Sequence, residues 1–83
     1  MAGFREQVHS TMYSAVAATM NKPVEELTDS TELIADLGAK SVNFVRIISA
    51  LEDEFELEIP FMEFRRKKSI GEAIDYIVQL YES

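Results

Sequence analysis

Only two prolines and three glycines interrupt the 83 residues of this chain, and that scarcity of breakers constrains its fold more than any other feature. A turn-rich β domain needs more of both, so the chain reads as short helices packed into an all-α bundle. Cysteine is absent, so neither a disulfide staple nor a thiolate-held metal can supplement a small core. Stability must come from the 47% hydrophobic residues, enough for one compact domain over residues 1–83.

The breakers also divide the chain. From Gly3 to Met20, apolar residues fall at Phe4, Val8, Met12, Val16 and Met20, and steps of four keep them on one side of a helix. Asn21-Lys22-Pro23 ends that helix, because the residue before proline avoids the helical region. Between Val24 and Lys40 the apolar spacing is irregular. It predicts a long loop pinned by its leucines, with one helical turn after Ser30 or Thr31. A second helix is predicted from Ser41 to Phe55, with Phe44, Ile47, Ile48, Leu51 and Phe55 on its apolar face and Ser41 as N-cap. Pro60 opens a short third helix at its first position, reaching about Arg66. Ser69 caps a fourth, Ile70 to Tyr81, with Ile70, Ala73, Ile74, Ile77 and Leu80 or Tyr81 inward. The expectation is a four-helix bundle of three main helices and one short one.

Fifteen acidic residues against eight basic ones give a formal charge of −7. That field repels nucleic acid and anionic membrane surfaces and favours partners with basic patches. No stretch has the length and apolarity of a membrane span. The start, Met-Ala-Gly-Phe-Arg-Glu, has no leader-like apolar run, so the expected setting is the cytoplasm. Catalysis finds little to work with: His9 is the only histidine, mid-helix, and no nucleophile–base pairing is legible. The acidic run Glu52 to Glu58 lacks the central glycine and ligand alternation of a calcium loop, and no metal site is expected. It also lies at the end of the second helix where the dipole disfavours acids, so it suits a binding surface. The run Arg65-Arg66-Lys67-Lys68 holds half the positive charge and reads as a solvated face or as a contact for a particular acidic partner.

One train of landmarks carries further. It runs through Leu33, Asp36-Leu37-Gly38-Ala39, Ser41, Ala50-Leu51-Glu52-Asp53-Glu54-Phe55, Glu58-Ile59-Pro60 and Ala73-Ile74-Asp75-Tyr76-Ile77. In these residues the sequence resembles the acyl carrier protein family, without gaps from about Val24 onward. The resemblance implies a non-catalytic bundle in which Ser41 is esterified by 4′-phosphopantetheine, whose thiol holds acyl groups as thioesters for fatty-acid, polyketide or related assembly. It implies a phosphopantetheinyl transferase and acyl-loading and acyl-processing enzymes as partners, and a monomeric carrier. An acyl-sheltering pocket is implied with Ile48, Leu51, Ile59, Phe64 and Ala73 as lining. By spacing alone those five are core, and Ser41 alone is an N-cap.

The sequence departs from the family at its partner-facing surface. Lys40 stands where the family has the aspartate that helps the transferase and its magnesium engage, and is placed instead to pair with the attached phosphate. Val42 replaces leucine, Asn43 and Arg46 replace acids, Phe61 and Met62 stand where acids are common, and Lys67 where an apolar residue is frequent. With Glu52 and Asp53, these residues make up the expected docking surface. The departures point to a carrier dedicated to one pathway. A carrier of aminoacyl or other unusual groups, and an unmodified protein-interaction module of the same fold, are the alternatives.

Overall fold

The computed structural model describes residues 3–83; Met1 and Ala2, part of the start read above as leaderless, lie outside the described residues. The described residues form helices α1 (Phe4–Met20), α2 (Ser41–Phe55), α3 (Phe61–Arg65) and α4 (Ile70–Glu82), with a 3-10 turn at Val24–Glu26 that the apolar spacing did not predict. They contain no strand, only an isolated antiparallel bridge between Glu32 and Ser69. The chain is all-α, as its breakers imply.

The step-of-four stripe of α1 is buried at Val8, Met12 and Val16 and half-buried at Phe4 and Met20, and it packs against both α2 and α4. Asn21 stops the helix by turning left-handed (φ 56°), while the Lys22 N–H bonds back to the Ala17 carbonyl at 3.0 Å. This places the stop two residues ahead of Pro23: an asparagine tolerates the left-handed cap well. Pro23 then precedes the 3-10 turn, where its fixed φ and missing N–H cost nothing.

Helix α2 buries Phe44, Ile47, Ile48 and Leu51, with Phe55 half-buried at its far end. Phe55 meets Phe4 edge-on at 5.3 Å, and Phe4 stacks on Tyr81 at 3.9 Å, so three elements close one end of the bundle with aromatic rings. Tyr81 is exposed, and Leu80 is the one half-buried against the core. Pro60 sits at the N-cap of α3, one position earlier than predicted, and Phe64 alone of that helix is buried, edge-on to Phe44 at 6.2 Å. Helix α4 buries Ile70, Ala73, Ile74 and Ile77.

The connector from 27 to 40 is irregular but firmly attached. Leu27 and Leu33 are buried and Leu37 is half-buried, and the expected helical turn appears just after Thr31. There the Asp36 N–H donates to the Glu32 carbonyl at 2.9 Å, and the Asp36 carboxylate accepts from the Glu32 N–H at 2.8 Å. Gly38 follows with φ +70°, a conformation that costs a residue with a Cβ about 1–2 kcal/mol. A seam then sews the connector to α4: Leu33 N–H to Lys68 O at 2.9 Å, Ile70 N–H to Thr31 O at 3.0 Å, and Gly71 N–H to Asp29 O at 2.9 Å. Gly71 permits that approach, since a Cβ there would lie 3.1 Å from both the Cβ and the carbonyl oxygen of Asp29. Asp29 also accepts the Tyr13 hydroxyl at 2.6 Å, which ties the connector to α1.

Leu33 is fully buried although it lies outside every helix, whereas the adjacent Ile34 is 51% exposed. Leu33→Ala is therefore expected to cost about 2–5 kcal/mol, as in a helix core, and Ile34→Ala under about 0.5 kcal/mol. Urea midpoints at constant slope check both values. Burial, and then the Asp29 carboxylate beside it, push the Tyr13 hydroxyl from 10.0 up to about 12. A raised folded-state value means that this contribution to stability is intact below pH 10.0 and is lost as pH rises through about 12. Burial, and then Glu63, raise the Tyr76 hydroxyl as well. Phenolate absorbance should therefore show both tyrosines titrating late, and Asp29→Asn should bring Tyr13 alone part of the way back because its burial remains.

Candidate functional site

The first turn of a helix leaves four N–H groups without intrahelical acceptors, and the two long helices that follow the connector treat them oppositely. In α4 every one is satisfied. Ile70 and Gly71 donate to the connector carbonyls, Glu72 to the Ser69 Oγ at 3.2 Å, and Ala73 to the Ser69 carbonyl at 3.0 Å. In α2 the Asn43 and Phe44 N–H groups both reach the Lys40 carbonyl, at 2.9 and 3.1 Å. Those of Ser41 and Val42 have no protein acceptor among the described residues.

The N-cap of α2 is Lys40, in extended conformation, not Ser41. Ser41 is the first helical residue, so the expectation of Ser41 as cap is corrected by one position. The reason is local: Asn43 Oδ1 accepts the Lys40 N–H at 2.8 Å and fixes Lys40 as the residue outside the helix. A lysine ammonium has no lone pair, so its side chain makes no cap hydrogen bond. The first turn also carries no acid. A cation at the positive end of a helix dipole, with two open N–H donors beside it, leaves this terminus short of negative charge. Ser41 is exposed there, and among the described residues its hydroxyl makes no hydrogen bond.

This terminus suits a phosphate ester. An anion attached at Ser41 would lie beside the open donors, the helix dipole and the Lys40 charge, all favourable to it. The serine is unburied, so an enzyme can reach it.

Among the expected docking residues, Lys40, Arg46 and Asp53 are exposed, as are Val42 (57%) and Met62 (58%). Phe61 is half-buried. Asn43 is half-buried, with its amide oxygen committed to the cap. Glu52 is half-buried as well, and its carboxylate accepts the Ile59 N–H at 2.9 Å. The first acid of the run thus has a structural task, fastening the segment after α2, which the dipole argument did not foresee. Ile48, Leu51, Ile59, Phe64 and Ala73 all belong to the core cluster, the first and third 6% exposed and the others fully buried.

Sequence reasoning missed Val45 and Ile34, both about half exposed near Ser41. Val45 carried a signal, since it falls outside the 44, 47, 48, 51 periodicity that fills the core; Ile34 carried none. The acidic residues do not gather, among the described residues, into any group of three able to hold a metal ion. No described helix is long and apolar enough to cross a membrane.

An all-helical bundle that presents a bare serine at the start of its second helix has the form of a carrier domain. The family model of the phosphopantetheine attachment site matches residues 10–77. The chain belongs to this family of phosphopantetheine-binding carrier domains, the acyl carrier family. Its members bear covalently attached 4′-phosphopantetheine, are generally non-catalytic, and interact with modifying and acyl-processing enzymes.

The charge argument has a measurable consequence. Lys40→Asp supplies a side-chain acceptor and an anion at the cap, and should stabilise the unmodified chain by about 1 kcal/mol. A urea midpoint unchanged or lowered relative to the parent would show that the terminus is not short of negative charge.

Proposed function

We propose that Ser41 is the residue that carries 4′-phosphopantetheine, and that the chain is an acyl carrier serving separate enzymes without catalysis of its own. The observation that carries this reading is the open N-terminus of α2, where an unengaged, exposed serine lies inside the matched region. The group supplies, when bound, a thiol that holds acyl cargo as a thioester. Everything else is the work of the chain. Ser41 Oγ forms the bond to the phosphorus of coenzyme A that bears the pantetheine as the pyrophosphate P–O bond breaks, adenosine 3′,5′-bisphosphate departs and the serine proton passes to the transferase. The open N–H groups of Ser41 and Val42, with Lys40, hold the resulting negative charge. The buried side chains of Ile48 and Leu51 in α2, Ile59 between α2 and α3, Phe64 in α3 and Ala73 in α4 provide apolar surface for sheltering an acyl chain, by parting of the core.

On this reading the 83 residues act as one monomeric carrier unit, because most apolar residues are already committed to a single core, and the cytoplasm is the setting we propose for it. The cargo is an acyl group of fatty-acid, polyketide or related assembly, and the divergent surface suits a carrier dedicated to one pathway. Aminoacyl cargo uses the same arm and the same serine.

Incubation with a broad-specificity phosphopantetheinyl transferase, coenzyme A and magnesium, followed by intact-mass measurement, tests the assignment. The expected outcome is a gain of one phosphopantetheine that Ser41→Ala abolishes. The modified form should also be more stable than the unmodified form by about 0.3–1 kcal/mol, through the new charge at the helix terminus. Lys40→Asp should alter the modification rate while leaving the fold intact. Failure with two transferases on folded protein would instead favour an unmodified interaction module, a reading to which Lys40 lends itself.

A further inference from the structure

Charge is unevenly distributed over this acidic chain. Residues 39–51 and 59–71 together hold six of its eight cations, Lys40, Arg46 and Arg65 to Lys68, against the single carboxylate of Glu63. The remaining residues hold fourteen carboxylates and two cations. The two cationic segments meet in space. Helix α2 packs on α3, with Phe44 in the first turn of α2 against Phe64, the neighbour of Arg65. The turn that leads into Ser41 also joins them: Ile34, Ala35 and Glu32 line a surface hollow of about 270 Å³ together with Arg65, Arg66, Lys67 and Lys68.

These cations are not neutralised from within. Among the described residues the only lysine or arginine in an ion pair is Arg5, with Asp75 on the α1–α4 side. Lys67 lies 4.8 Å over the Tyr76 ring, a contact that holds its stem without cancelling its charge. Between the cations lie four of the chain's exposed large apolar side chains: Ile34, Val42, Val45 and Met62, each 50% exposed or more. Apolar contacts inside a charged rim are the composition of a protein docking site.

We propose that this cationic, apolar face of α2, α3 and the Ile34 turn docks onto an enzyme whose entrance is rimmed by carboxylates. The proposal rests on the reading of Ser41 as the attachment residue, because a partner that admits an arm from Ser41 must cover the surface around it. With Glu32 and Asp36 of the turn counted beside Glu63, that surface still holds six cations against three carboxylates, so the complementary rim is negative, despite the net charge of −7. Charge of the opposite sign steers encounter and rejects partners with basic rims. A flat anionic membrane is a poorer occupant. It would confront the carboxylates on the rest of this small domain, at distances that physiological salt, with a screening length of about 8 Å, does not fully mask.

The test uses one carrier-dependent acyltransferase in two forms, its native basic entrance rim and the same rim reversed to glutamates. Binding to the full chain, unmodified and modified, is followed by amide-shift titration. The expected result is about tenfold tighter binding to the acidic form, weakened by added salt, with shifts centred on Val42, Arg46 and Met62. Arg65→Glu/Arg66→Glu/Lys68→Glu should reverse the preference, and Arg65→Gln/Arg66→Gln/Lys68→Gln should abolish it; Lys22→Glu, outside the two segments, should leave it intact. Circular dichroism confirms that each variant is helical. Equal or tighter binding to the basic form overturns the proposal, as does a preference indifferent to the triple substitutions. It is equally overturned if the chain co-sediments with phosphatidylserine vesicles through Arg65, Arg66 and Lys68 while showing no preference between the enzyme forms. Mass measurement on the same samples separates the two readings. A phosphopantetheine gain without acidic preference removes only the docking surface, and acidic preference without a gain removes only the role of Ser41.

Discussion

Three backbone hydrogen bonds between residues 29–33 and the stretch from Lys68 to Gly71 hold the rest of this structure in place. A connector of this length in so small a domain needs its polar backbone groups satisfied and its apolar side chains buried, or it frays. The seam does the first and Leu27 and Leu33 do the second. One set of bonds also spends the free donors of α4 on the connector, so that end of the bundle is closed. Because the connector is fixed at Leu33, and the Ala39 N–H returns to the Leu33 carbonyl at 2.9 Å, the chain enters α2 at a defined point. The position of Ser41 is a consequence of contacts made several residues before it.

The contrast between the two helix starts then becomes functional. Serine 69 is consumed as a cap, with its hydroxyl bonded to the Glu72 N–H, while Ser41, one position inside its helix, keeps its hydroxyl free. The difference is made by Asn43, which caps from within and displaces the cap position onto Lys40. A terminus left electropositive in this way is a less stable helix start by itself, and one better matched to an attached phosphate. Local stability and the carrier role pull in opposite directions at this one position, which is where a functional site is expected to break a local rule.

The same opposition recurs over the surface. Acids crowd the stretch from Glu25 to Asp36, the end of α2 with the segment after it, and α4, whereas the face that surrounds Ser41 combines unpaired cations with exposed valines, an isoleucine and a methionine. Such side chains contribute nothing to the core. Their cost in solubility is offset by the acidic remainder, which keeps the molecule strongly charged. Glu52 marks the boundary between these regimes, since its carboxylate fastens the Ile59 backbone and belongs more to the fold than to the surface.

Helix identities were legible in the sequence because burial imposes a period. Val8, Met12 and Val16, then Phe44, Ile47, Ile48 and Leu51, then Ile70, Ala73, Ile74 and Ile77, are each spaced as one helical face, and each is buried. The family landmarks, with serine following Leu37-Gly38, were equally legible, being short-range features of the chain itself. The 3-10 turn, the one-residue shift of the α2 cap and the task of Glu52 were not legible, since each depends on a hydrogen bond whose partner the local pattern does not specify. Least legible was the meeting of Ile34 and Ala35 with the run from Arg65 to Lys68, some thirty residues apart in the chain and lining one hollow in the fold. Periodicity reports which side of an element faces inward; which outward sides come to lie together is decided only when the connector is sewn to α4, because that seam sets the distance between segments the sequence keeps apart.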